Sequence, residues 1–139
     1  MKHNVTKIDQ LPLSGSRLNF EIIQAEPWEK EQDDLHRTGM KCIMRLTDPN
    51  GIFTPTTMQI NVFDPIDTHA QSHNDFGAAY AHATKQYVYT EEDVIGCKGQ
   101  AWYEREKAWN GHVYNHLKHY HFSYCPVNEL EHAGEEVNE

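Results

Sequence analysis

Apolar and polar positions alternate with a period of two along several stretches of this chain, which is the signature of half-buried strands. Leu18, Phe20 and Ile22 alternate with Asn19, Glu21 and Ile23, placing three apolar side chains on one face; Pro27 ends that run. Glu26 to Asp34 is acid-rich with a single lysine and reads as a solvated loop. Met40, Cys42, Met44 and Leu46 then share a face, with Lys41, Ile43 and Arg45 on the other. Asp48-Pro49-Asn50-Gly51 follows and predicts a turn, because proline presets φ and Asn-Gly accepts positive φ. Thr56, Met58, Ile60 and Val62 resume the alternation, so 40–63 reads as a β-hairpin.

The period then changes. Phe76, Ala79, Tyr80, Ala83 and Tyr87 recur at helical spacing behind a cap at Asn74 or Asp75, and alanines between Ala78 and Ala83 suit close packing on a sheet. Thr90-Glu91-Glu92-Asp93 opens a short helical turn that Gly96 ends. Two long strands follow, Gly99 to Ala108 and His112 to Tyr124, joined by Asn110-Gly111, the strongest short hairpin signal. Pro126 stops the second. The layout is mainly β and predicts a five-stranded OB-like Greek-key barrel with one helix between the third and fourth strands. An α+β sandwich has the same element order. The expected organisation is an N-terminal arm at 1–16, where Pro12 and Ser14-Gly15-Ser16 interrupt any regular element. An OB-like domain follows at 17–125, then a disordered acidic tail at 126–139.

Charge sharpens this picture. The 139 residues carry a net charge of −9, the opposite sign to a typical nucleic-acid-binding domain. Its distribution is uneven: residues 98–121 hold four basic and two acidic side chains, and everything around them is acidic. With Asn110-Gly111 as a two-residue loop, Trp109 pairs with His112, and Tyr103, Arg105, Lys107, Trp109, Tyr114, His116, Lys118 and Tyr120 fall on one face. Trp102, Val113 and Leu117 then face the core. Aromatic rings interleaved with cations are what single-stranded nucleic acid needs, since bases stack on rings while Lys and Arg meet phosphates. Aromatic pairs also stabilise any hairpin, which accounts for the rings but less well for the three cations and the histidine beside them.

Three segments carry a resemblance. Glu92-Asp93-Val94-Ile95-Gly96-Cys97-Lys98-Gly99 and Trp109-Asn110-Gly111-His112-Val113-Tyr114-Asn115 resemble the C-terminal half of a phage-encoded family of OB-fold single-stranded-DNA-binding proteins, long described only as a domain of unknown function. Gly15 to Ala25 resembles its opening strand, with Arg17 where the family has an aromatic residue. The similarity spans about residues 13–122. It implies a binding role in phage DNA replication or recombination in the host cytoplasm, with no catalytic residues and no cofactor. The acidic tail, with Glu129, Glu131, Glu135, Glu136 and Glu139, would recruit replication or recombination proteins; it lacks the terminal aromatic residue such tails often carry. Self-association into a homo-oligomer is compatible with it.

Other chemistries find less support. His69 and His73 are four apart with Asp75 behind, but no Glu stands between them as a zinc-protease helix requires. His112 and His116 share one strand face and His119 and His121 the other, too few on either for a metal site. Neither a G-x-S-x-G elbow nor a phosphate-binding glycine loop occurs. The three cysteines, Cys42, Cys97 and Cys125, are widely spaced and read as buried thiols of a reducing compartment. No apolar run reaches the ~20 residues of a membrane span, and the first residues lack a secretory apolar run. One reading of a different class remains, an acidic protein-directed inhibitor of a host defence or nucleic-acid enzyme, whose carboxylates mimic nucleic acid.

Overall fold

The computed structural model describes residues 1, 14–32, 34–51, 55–64 and 74–129. Five strands, β1 (Ser16–Gln32), β2 (Leu35–Thr47), β3 (Thr56–Phe63), β4 (Lys98–Lys107) and β5 (Val113–Tyr124), form one antiparallel sheet in the order β3-β2-β1-β4-β5. Two helices, α1 (Asn74–Thr84) and α2 (Glu91–Val94), lie between β3 and β4 in the chain. The fold is mainly β, as the alternation predicts, but the sheet is open where a closed barrel is expected. Among the described residues β3 and β5 each pair on one side only. The long helical pattern also divides: α1 stops at Thr84, where Lys85 turns left-handed with φ of 64°, and Tyr87 lies beyond it, exposed.

Pro27 does not end β1. It sits opposite Met40 in a stretch where β1 has lost its β4 neighbour, whose last pair is Glu21 with Lys98. A proline is tolerated there because its missing N–H can point away from the only partner. The acid-rich segment is therefore a two-stranded arm rather than a loop, with Glu26 3.6 Å from the Lys41 ammonium and His36 between Glu29 and Glu31 at 3.9 and 3.8 Å. A bulge at Ile23 lets Ile22 stay buried opposite Met44 while Ile23 faces solvent.

The core lies on one side of the sheet. Leu18, Phe20, Ile22, Cys42, Met44, Leu46, Ala101 and Tyr103 point into it, and α1 closes one end by packing Phe76 and Tyr80 on β5. Ring contacts define that closure: Phe76 meets Tyr120 and Phe122 edge-on, each with centroids 5.3 Å apart, and Phe20 meets Phe122 at 5.3 Å. Gly99 lets the β5 backbone approach β4 closely, because a Cβ there would run into the His121 carbonyl. After β5, residues 126–129 form a helical turn held to α1 by the Asn128 side-chain amide, which donates to the Ala83 carbonyl at 3.1 Å. Residues 2–13 of the expected arm and 130–139 of the expected tail lie outside the described residues, as do His69 and His73. No described helix is long and apolar enough to cross a membrane.

Candidate nucleic-acid interface

The loop between β4 and β5 has three residues, not two. The Ala108 N–H donates to the His112 carbonyl at 2.8 Å, and the Gly111 N–H donates to the Ala108 carbonyl at 2.9 Å. Gly111 takes φ of 85°, and the Asn110 side chain accepts from the His112 N–H at 3.1 Å. This is the three-residue hairpin that ends in a left-handed glycine. Its consequence is a one-residue shift of register: Lys107 pairs with Val113, Arg105 with Asn115 and Tyr103 with Leu117.

In an antiparallel sheet a one-residue shift sends every side chain of one strand to the other face. The single aromatic-basic face is thus corrected to two. Tyr103, Arg105 and Lys107 share the core-side face with Leu117, Asn115 and Val113, while Tyr114, His116 and Lys118 lie on the outer face with Glu106, Glu104 and Trp102. Tyr103 belongs to the core at 4% exposure, and its hydroxyl donates to the Asn115 side-chain carbonyl at 2.8 Å. Trp102, expected inside, lies on the outer face and donates its indole N–H to Glu104 at 2.9 Å. Tyr120 returns to the core side for a separate reason. A second bulge at His119, where φ is 54°, shifts the register between Gln100 and Trp102, and Asp75 accepts the His119 N–H at 2.7 Å.

Two carboxylates of β4 meet β5 side chains on the outer face. Lys118 lies 3.0 Å from Glu104 and His116 lies 3.5 Å from Glu106. Hydrogen bonds from Lys118 and Trp102 hold the Glu104 carboxyl below the usual carboxylate range. At the tip, Trp109 is 97% exposed and Tyr114 49% exposed.

The tertiary structure adds a feature that no local pattern announces. Because every neighbouring pair is antiparallel, β3 and β5 run in the same direction at opposite ends of the sheet. Both nevertheless line one trough of about 850 Å³, so the sheet curls until its two edges face each other. Met58 to Phe63 form one wall, Asn115 to Tyr120 the other, and Asp75, Phe76 and Ala78 of α1 close the end. A second compartment of about 420 Å³ shares Met58, Gln59 and Asn115 and continues toward the outer half of the β4–β5 hairpin, the β4–β5 arm, past Thr56, Tyr103 and Tyr114. The floor is apolar, from Met58, Ile60, Val62 and Leu117. Gln59, Asn61, Asn115, His116, Lys118 and His119 supply polar groups. Of the eight expected site residues, Tyr103, Tyr114, His116, Lys118 and Tyr120 line these compartments; Arg105 and Lys107 sit on the arm's core-side face beside them, and Trp109 marks the end. Among the described residues no group of three or more metal-ligating side chains is assembled. Comparison with protein-family models, with curated proteins and with solved structures gives no match.

Proposed function

We propose that this chain is a binding protein for single-stranded DNA, which lies along the trough between β3 and β5 and extends onto the β4–β5 arm. The supporting observation is the trough itself: an open channel between two sheet edges, polar-rimmed and apolar-floored, that leads to an arm carrying Arg105, Lys107 and the fully exposed ring of Trp109. Single strands suit it better than duplex, since splayed bases can enter the channel and stack on Tyr114 and Trp109 while phosphates meet the arm's cations. The strand order is also that of a five-stranded barrel left unclosed between β3 and β5, in line with the OB-like reading. The resemblance to phage single-stranded-DNA-binding proteins extends the proposal to replication or recombination.

Anisotropy of a labelled oligonucleotide tests it. Single-stranded DNA should bind more tightly than duplex. Trp109→Ala should weaken binding by one stacked ring, about 1–3 kcal/mol or roughly 5- to 150-fold. Replacing Arg105 and Lys107 by alanine should flatten the salt dependence by up to about 1.4 in the log–log slope, for two fewer released counterions. Absence of binding at low salt, or equal affinity in all three proteins, would overturn the assignment. The second reading, a protein-directed acidic inhibitor, draws on the net charge of −9 and on Glu104 and Glu106, which occupy the arm's outer face among its cations. It expects no oligonucleotide binding in the same titration.

A further inference from the structure

We infer that Cys97 and Cys125 form a reversible redox pair that closes as an internal disulfide across the foot of the β4–β5 hairpin. The last ladder pair at that end joins Lys98 to Tyr124, so the next facing positions are Cys97 and Cys125. Facing residues in an antiparallel pair have Cα atoms about 4.5–5.5 Å apart, within the roughly 4.4–6.8 Å a disulfide spans. Both side chains turn to the same interior, at 0% and 3% exposure, and both are free thiols. The two thiols are close enough to influence each other's ionisation, and the Cys97 sulfur lies 3.7 Å from the Asp93 carbonyl. Cys42 is equally buried, but it sits on β2 opposite Ala25 and Ile60, with no cysteine facing it across a strand.

The chemistry is thiol–disulfide exchange with a small disulfide such as oxidised glutathione. One cysteine thiolate attacks a glutathione sulfur and expels one glutathione thiolate, leaving a mixed disulfide. The second cysteine thiolate then attacks the protein-side sulfur and expels the other. The two protons lost by the cysteines pass to the two glutathione thiolates, so the protein loses two electrons and glutathione disulfide gains them. Burial raises the Cys97 and Cys125 pKa values, which slows the thiolate step in the closed fold. Cys125 precedes the helical turn of residues 126–129, which is tied down by the Asn128 contacts to the Cys125 and Ala83 carbonyls and by the Tyr124 hydroxyl donating to Glu129.

The full chain, refolded from guanidinium in a glutathione redox buffer and quenched with acid, tests the pairing at equilibrium. Alkylation after unfolding should mark one thiol instead of three. The mass should fall by ~2 Da before alkylation, and peptide mapping should join residues 97 and 125. Cys42→Ala should leave the bond intact and Cys125→Ala should abolish it. The oxidised protein should melt at a higher temperature than the reduced one, reversibly on adding dithiothreitol. Three free thiols at equilibrium, a bond that includes Cys42, or a lasting glutathione adduct would each overturn the proposal.

Discussion

Glu104 shows how one residue organises the outer face of β4 and β5. It accepts from Trp102 and pairs with Lys118, and both interactions stabilise its charged form. Its native pKa therefore lies below the ordinary 4.5. A depressed carboxylate contributes stability above the unfolded pKa, and that contribution is lost as pH falls through the lower native value. Glu104→Gln should accordingly lower the melting temperature at neutral pH, and the gap to the parent protein should close as the pH is lowered below the ordinary 4.5. A gap of constant size across that range would assign the effect to shape instead of charge. Tyr103 makes the complementary case on the inner face. Tyr103→Phe removes a donor to Asn115 from a nearly buried site and should cost about 0.5–1.5 kcal/mol in urea unfolding.

At the level of elements, the β4–β5 arm depends on its loop. Gly111 holds a positive φ with open space around it, so Gly111→Ala is strained by backbone conformation alone and should cost about 1–2 kcal/mol. Gly99 differs in kind. Its conformation is unexceptional, but a Cβ would collide with the backbone of His121, which cannot move without breaking the β4–β5 ladder. Gly99→Ala should therefore destabilise more than Gly111→Ala, although its position in a strand would ordinarily favour alanine. Chemical denaturation of the two variants side by side checks the order; the reverse order would mean that the His121 backbone yields to the added Cβ.

On the scale of the whole molecule, the core is held by aromatic and sulfur side chains that burial keeps neutral. Desolvation pushes the Cys42 thiol from 9.0 up to about 12 and the Tyr89 phenol from 10.0 up to about 12, and it raises Tyr80, Tyr120 and Cys97 as well. A raised native pKa gives stability that is complete below the unfolded pKa and is lost as pH rises toward the native one. The melting temperature should thus hold near neutrality and fall steeply above about pH 9, first as unfolded-state thiols ionise and then phenols. A flat profile to pH 11 would contradict the closed core. Phe76 joins α1 to β5 through two edge-on ring contacts, so Phe76→Ala should cost about 3–5 kcal/mol, measured by urea unfolding.

Local pattern was enough to place much of this molecule. Alternation marks Leu18, Phe20 and Ile22 on β1, and Met40, Cys42, Met44 and Leu46 on β2, as core, because a half-buried strand needs nothing beyond period two to choose its face. The Phe76 and Tyr80 spacing likewise marks the helix stripe that meets the sheet. The candidate site was legible only as a set of residues. Asn110-Gly111 announces a hairpin but permits loops of two or three residues, and the difference of one residue decides which side chains share a face. Three bulges, at Ile23, His119 and Ser123, change faces within single strands and leave no mark in the alternation before the fold is known. Pro27 could remain in a strand because β4 ends short of it, a matter of neighbours. The trough between β3 and β5 depends on sheet curvature summed over five strands, and the meeting of Cys97 with Cys125 depends on register across one hairpin. Both are long-range outcomes, which a reading of nearest neighbours along the chain does not contain.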